Sequence, residues 1–211
     1  AELKGIKRGR LKVSVVTTAK YFIPRLLGPF MKHYPGIDIA LDVGNRAEIV
    51  ARLARNDDDL YIMGMPPVAM GIQRHPFVEN PIVAIAPRGH PLVGKRRVRL
   101  ARLAEEPFLL CEQGSGTRMA TERFLKEHGV KLNVRMALGS NEAIKQAVAG
   151  GLGLSLLSLH ALTGELARGA RARPGGRACG GRRRRLDTAS RPVRGPSLAG
   201  PDAHAAPCRS W

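Results

Sequence analysis

Two stretches of the chain repeat one alternation of short apolar strands and amphipathic helices, and this repetition limits the fold more than any other feature. Leu11-Lys12-Val13-Ser14-Val15-Val16 has the alternation and β-branched content of a strand. Ile23, Leu27, Met31 and Tyr34 then recur at helical spacing. Pro24 stands near the helix start, where its missing N–H costs little, and Pro29 predicts a kink. Tyr34-Pro35-Gly36 ends that helix, and residues 37–43 alternate as a second strand. Asn45-Arg46-Ala47-Glu48 pairs an N-cap with Glu three residues later, the pattern that opens a helix, here with Ile49, Val50 and Leu53 inward. Residues 60–63 form a third, short strand. Strand-helix-strand-helix-strand at this spacing builds a parallel α/β lobe.

The order then recurs. Residues 81–87 are an apolar strand bounded by prolines, the expected crossing between lobes. Residues 107–111 read as a strand, 112–116 as a loop and 117–128 as a helix with Ala120 and Phe124 on its inner face. Glu122–Lys126 and Arg123–Glu127 have the spacing of supporting ion pairs on its outer face. Residues 134–138 are the next strand, and Ser140 or Asn141 caps a helix with Ala143, Ile144, Ala147 and Val148 inward. Gly150-Gly151-Leu152-Gly153 turns the chain into a last buried strand at 154–157. Two α/β lobes joined by a strand-like hinge make a clamshell, with lobe 1 at 9–80 and lobe 2 at 81–160.

Composition supports this and limits the partners. A chain of 211 residues has room for two small lobes with a buried core. No apolar run approaches the ~20 residues that span a bilayer, and the first ten residues have no apolar signal-peptide region. The expectation is a cytoplasmic protein without membrane contact. Cys111, Cys179 and Cys208 are odd in number and irregular in spacing, which argues against a disulfide framework and against zinc. The net charge of +18 is unevenly spread: residues 1–160 hold 24 basic against 14 acidic residues, and residues 161–211 hold 11 against 3. In the first part the basic residues are dispersed, apart from Lys95-Arg96-Arg97-Val98-Arg99, which reads as a solvated loop rather than a nucleic-acid surface. Residues 161–211 are dominated by Ala, Gly, Arg and Pro and lack Ile, Phe, Tyr and Met. Such a stretch buries too little surface to offset chain entropy, so a disordered tail is expected there. Reading a GC-rich gene in a shifted frame would give the same mixture.

Polar residues follow three of the expected strands. Thr17-Thr18-Ala19-Lys20 follows the first strand, Gly114-Ser115-Gly116-Thr117-Arg118 the strand at 107–111, and Ser140-Asn141 the strand at 134–138. Open α/β sheets bind ligands beyond the carboxyl ends of their strands, and helix N-termini there offer N–H groups to anions. Arg118 would add a charge-assisted contact to phosphate or carboxylate. Each segment also reads as a polar helix cap with a solvated cation. Convergence of the three on one cleft is what favours a site made of Thr17, Thr18, Lys20, Ser115, Thr117, Arg118, Ser140 and Asn141. The glycine segment is neither a Walker loop nor a dinucleotide fingerprint. Histidines 33, 75, 90, 128 and 160 have no ligand spacing and read as surface or loop residues, Asp57-Asp58-Asp59 as a solvated turn rather than a metal site, and Cys111 as inert core. No catalytic set, metal site or cofactor motif emerges.

Several of these motifs carry a family resemblance. Gly9-Arg10-Leu11-Lys12-Val13 with Thr17-Thr18-Ala19-Lys20-Tyr21-Phe22, and Ser140-Asn141-Glu142-Ala143-Ile144-Lys145-Gln146-Ala147-Val148 with Gly150-Gly151-Leu152-Gly153-Leu154, resemble the effector-binding domain of LysR-type transcriptional regulators. Ile62-Met63-Gly64 before Pro66-Pro67, with the glycine segment at 114–118, is most similar to regulators of the carbon-fixation (RuBisCO) operon. The resemblance covers about residues 5–160. It implies a type 2 periplasmic-binding-protein-like clamshell and a small anionic metabolite, phosphorylated or carboxylated, in the interlobe cleft. It also implies a homo-oligomer, with promoter DNA contacted through a winged helix-turn-helix absent from this sequence. Residues 1–8 resemble the end of that family's linker helix. The returning strands of the family have no counterpart in 161–211, so the clamshell is expected to be incomplete at its C-terminus. A transporter's solute-binding protein shares the fold and is the alternative; an enzyme on this scaffold would need the catalytic set that is missing.

Overall fold

The computed structural model describes residues 8–68, 71–93, 95 and 98–167, with the backbone of 184–190. Most of the expected linker end at 1–8 lies outside the described residues, as do Arg96 and Arg97 of the basic cluster.

The first lobe centres on β1 (Gly9–Val16), flanked in parallel by β2 (Ile37–Gly44) and β3 (Leu60–Gly64), with Val15 opposite Val43 on one side and Ile62 on the other. Val13, Ser14, Val15 and Val16 are all buried, as expected of a strand covered on both faces. Ile23, Ile49, Leu53, Tyr61 and Met63 close the core around it. Helix α1 (Ile23–His33) buries only Ile23; Met31, expected inward, is exposed, and Pro29 lies inside the helix. Helix α2 (Arg46–Arg55) opens with the expected capping box, Asn45 Oδ1 accepting from the Glu48 N–H at 3.1 Å and Glu48 Oε2 from the Asn45 N–H at 2.9 Å.

The acidic turn after α2 corrects the sequence reading. Asp58 is buried, not solvated, and takes Arg52 Nη2 at 2.6 Å, Arg52 Nε at 2.8 Å and the Ser14 hydroxyl at 2.7 Å. Asp59 accepts from the Lys12 N–H, and Asp57 pairs with Arg55, so the three carboxylates point three ways. No metal-holding cluster occurs among the described residues.

β4 (Gln73–Asn80) has no apolar alternation to announce it and contains Pro76; the register shift between Pro76 and Val78 accommodates the proline. Between β3 and β4 runs β9 (Arg184–Ser190), antiparallel to both, giving the order β2-β1-β3-β9-β4. The sequence predicts a structureless tail at 161–211, yet these seven residues complete the sheet of lobe 1. Strand pairing uses main-chain N–H and C=O groups, which every composition supplies, and the edge of β3 presents them unpaired without a neighbour.

The second lobe repeats the layering with β5 (Ile82–Ile85), β6 (Pro107–Cys111), β7 (Asn133–Leu138) and β8 (Leu154–Ser158) in the order β5-β8-β6-β7. Helices α3 (Leu100–Ala104), α4 (Gly116–Glu127) and α5 (Asn141–Ala149) complete it. Alternate residues of β6 serve two cores: Phe108 and Leu110 join Leu125, Leu154 and Leu156, whereas Leu109 and Cys111 join Val83, Ile144, Val148 and Leu157. Gly153, at φ +151°, lies where a Cβ would come within 2.5 Å of the Pro107 carbonyl oxygen. In α4, Arg123 pairs with Glu127 as expected, but Glu122 takes Arg118 instead of Lys126. In α5, Ile144 and Val148 are buried, while Ala143 is exposed.

Lobe 2 does not end at 160. A 3-10 turn, Leu159–Leu162, and α6 (Thr163–Ala167) follow β8. Leu162 joins the core around Ile144 and Leu157, with Leu166 packed against it, so these leucines provide the apolar anchor that the composition of the tail as a whole conceals. The hinge lies where β4 runs into β5 and β8 into this turn. There the Leu159 N–H donates to the Pro81 carbonyl at 2.8 Å, and Ser158 Oγ bonds Asn80 Oδ1 at 2.6 Å. His160, read as a surface or loop residue, bonds the Glu79 carbonyl through Nε2 and packs its ring 4.9 Å from that of Phe22.

Candidate functional site

Four strand-to-helix junctions, two from each lobe, meet between the lobes in pairs. Three are the polar segments expected from sequence; the fourth is the start of α2 at Asn45-Arg46-Ala47.

The first pair joins the end of β1 to the start of α5. Lys20 and Tyr21 lie in the 3-10 turn Ala19–Tyr21 that follows β1, and Ser140 caps α5 by accepting from the Ala143 N–H. Lys20 Nζ reaches Glu142 Oε2 at 3.0 Å, the Tyr21 hydroxyl donates to Glu142 Oε1, and Ser140 Oγ bonds Oε2 at 3.2 Å. Asn141, the first residue of α5, lies beside the Tyr21 hydroxyl and partly offsets the rise in its proton affinity. Burial raises the proton affinity of the Glu142 carboxyl, but hydrogen bonds from Tyr21 and Lys20 outweigh it and hold the pKa at about 2. Burial and then the Glu142 bond push the Tyr21 phenol well above its ordinary value. Thr17 and Thr18 stand just before this turn: the Thr17 N–H donates to the Gly44 carbonyl at 2.9 Å, and Thr18 is buried.

The second pair joins the start of α2 to the loop before α4. The Ala47 N–H donates to the Gly114 carbonyl at 3.1 Å. Gly114 has φ +83°, and a Cβ there would stand 2.9 Å from that of Ala47, so glycine is required twice over. The aliphatic stem of Arg46 lies over Gly116. Its Nη2 donates to the Met65 carbonyl at 2.8 Å, its Nε is buried without a hydrogen-bond partner, and burial lowers the guanidinium pKa. No ion pair between Arg46 and a carboxylate occurs among the described residues.

Of the expected residues, Lys20, Ser140 and Asn141 come together around Tyr21 and Glu142. Ser115 caps α4, and Thr117 lies in its first turn beside the second pair. Arg118 is positioned otherwise than expected: Nε bonds Glu122 at 2.7 Å and Nη1 the Cys111 carbonyl at 3.1 Å, which fold the guanidinium back within lobe 2. Cys111 is buried core, its thiol pushed up to about 11 by burial. Sequence reasoning did not include Tyr21, Arg46 or Glu142. The signal for Arg46 was present, since Gly44-Asn45-Arg46 follows β2 as the chosen segments follow their strands.

The family model of the LysR substrate binding domain matches residues 4–185. The chain belongs to this LysR family. Its relatives include the HTH-type transcriptional activator CmpR of Synechocystis, 55% identical over 162 residues, which are 77% of this chain and 53% of that protein. The RuBisCO operon transcriptional regulator of Acidithiobacillus ferrooxidans is 50% identical over 169 residues, 80% of this chain and 55% of its own. The chain thus spans about half the length of the curated relatives it matches. Among solved structures, the regulatory domain of CcmR from Synechocystis PCC6803, in complex with 2-PG, matches with a TM-score of 0.82 at 45% identity, covering 90% of this chain and 91% of that one. The effector binding domain of QuiR, in complex with shikimate, has a TM-score of 0.76 at 17% identity over 89% of each chain, a likeness of fold alone. These neighbours give the LysR domain its type 2 periplasmic-binding-protein-like clamshell.

Proposed function

We propose that this LysR domain senses a small anionic metabolite in the cleft between its lobes and thereby controls transcription of carbon-fixation genes. The observation that carries the proposal is the meeting of four strand-to-helix junctions and two cations, Lys20 and Arg46, between the lobes. The relationship to the CcmR domain in complex with 2-PG supports 2-phosphoglycolate, or another phosphorylated or carboxylated compound, as the effector. Thr17, Thr18, Lys20, Ser115, Thr117, Ser140 and Asn141, joined by Arg46, surround it; Arg118 braces the α4 loop through its own bonds. Closure of the lobes on the ligand shifts the arrangement of subunits, which requires the effector to bind the two arrangements unequally. The regulator acts in the cytoplasm as a homo-oligomer, and its winged helix-turn-helix contacts promoter DNA. Relatives that are transcriptional regulators favour neither catalysis nor the transporter alternative.

Calorimetry with 2-phosphoglycolate tests the reading. Saturable binding is expected, and Lys20→Ala should weaken it by about 1.5–3 kcal/mol, the loss of one charge-assisted contact. Unchanged affinity in both Lys20→Ala and Arg46→Ala would remove these two cations from the effector site.

A further inference from the structure

Two ammonium groups and two hydroxyls, drawn from both lobes, surround a single carboxylate. Besides Lys20, Tyr21 and Ser140, Lys145 Nζ stands 3.9 Å from Glu142 Oε1. Lys145 is itself anchored, bonding the Ala161 carbonyl at 3.0 Å and Glu165 at 3.0 Å, with its ammonium 5.5 Å from the Tyr21 ring centroid. Lys145 is therefore held by the scaffold of lobe 2 whether or not Glu142 is in place. The acceptor can leave without disturbing the fold around it: the Glu142 side chain is 49% exposed, stands in the first turn of α5, and reaches the site on a stem free to turn to solvent. In charge and hydrogen-bonding capacity the set matches a free carboxylate as well as it matches Glu142.

We infer that Lys20, Tyr21, Ser140 and Lys145 form a carboxylate subsite of the interlobe cleft, and that Glu142 is a displaceable internal occupant which an effector's carboxylate replaces. This rests on the effector reading above and adds what the effector must carry and what it must displace. The exchange trades one carboxylate for another on the same donors, so the effector's net gain is reduced by the contacts Glu142 gives up. Glu142 thereby sets the ligand concentration at which the domain responds.

The test uses the full chain, its Glu142→Ala variant and three probes. Acetate, followed by amide chemical shifts, should perturb Tyr21 and Ser140 in Glu142→Ala at concentrations that leave the wild type unchanged, because only the variant presents the donors unoccupied. By calorimetry, 2-phosphoglycolate should bind Glu142→Ala roughly tenfold more tightly than the wild type, whereas ethyl phosphate, which has no carboxylate, should gain little. Acetate acting equally on both chains, or on neither, overturns the subsite. Equal tightening for 2-phosphoglycolate and ethyl phosphate overturns displacement, since removal of a nearby negative charge then accounts for both. If acetate fills the variant and 2-phosphoglycolate binds neither chain, the subsite stands and the effector reading falls. Glu142→Ser, whose hydroxyl sits on a stem two bonds shorter and leaves the donors open, carries the same comparisons if the alanine variant does not fold.

Discussion

Arg52 grips Asp58 with two nitrogens, Nη2 at 2.6 Å and Nε at 2.8 Å, and thereby ties the end of α2 to the turn that starts β3. The Asp58 carboxylate has no solvent exposure, and Ser14 of the central strand donates to it as well. Removing Arg52 leaves a buried charge without its partner, so Arg52→Met should lower unfolding free energy by about 3–5 kcal/mol. Chemical denaturation measures this. The bonds from Arg52, against the opposing effect of burial, hold Asp58 below the usual carboxylate range. The folded chain therefore takes up this proton less readily than the unfolded chain. The stabilisation is full above about pH 4 and is lost as pH falls below that value. Arg52→Met should lose this acid-dependent component.

Gly114 and Ala47 make the second contact between the lobes, and their closeness leaves no room for a side chain. Gly114→Ala should cost about 1–2 kcal/mol from its left-handed backbone alone and hold the two helix starts apart. Thermal unfolding should show the lower stability, and calorimetry a weakened affinity for 2-phosphoglycolate. Gly129→Ala, also at positive φ but with open space around it, serves as the control: it should lose stability without losing affinity.

β9 lies between two strands and is bonded to both. Amides of residues 186–189 should exchange more slowly than those of a structureless peptide. A chain cut after Ala167 should bare the edge of β3 and self-associate, which light scattering detects. Exchange of these amides at the unstructured rate would contradict the pairing.

The elements legible in the sequence are those whose side chains report their surroundings. β1 and β6 read as buried strands because both faces are covered, and α2 was located by its capping box. β4 and β9 were not legible, because an edge strand with a proline and a strand formed from an arginine-rich segment pair through main-chain groups that composition does not reveal. Helical periodicity placed Met31 and Ala143 inward, but α1 buries only its first turn and α5 only the narrow stripe of Ile144 and Val148. The junctions of the candidate site were legible from their place after strands. Their internal pairing was not: Glu142 reaches Lys20 across 122 positions of sequence, and Arg118 turns to Glu122 four residues away.

Titration of the isotopically labelled chain with 2-phosphoglycolate, followed residue by residue through amide chemical shifts, tests the interlobe sensor most directly. Saturable shifts are expected together at Thr17, Thr18 and Ala47 of one lobe and at Ser115, Thr117 and Ser140 of the other, with one common dissociation constant. Shifts confined to a single lobe, or no saturable shifts at all, would contradict it.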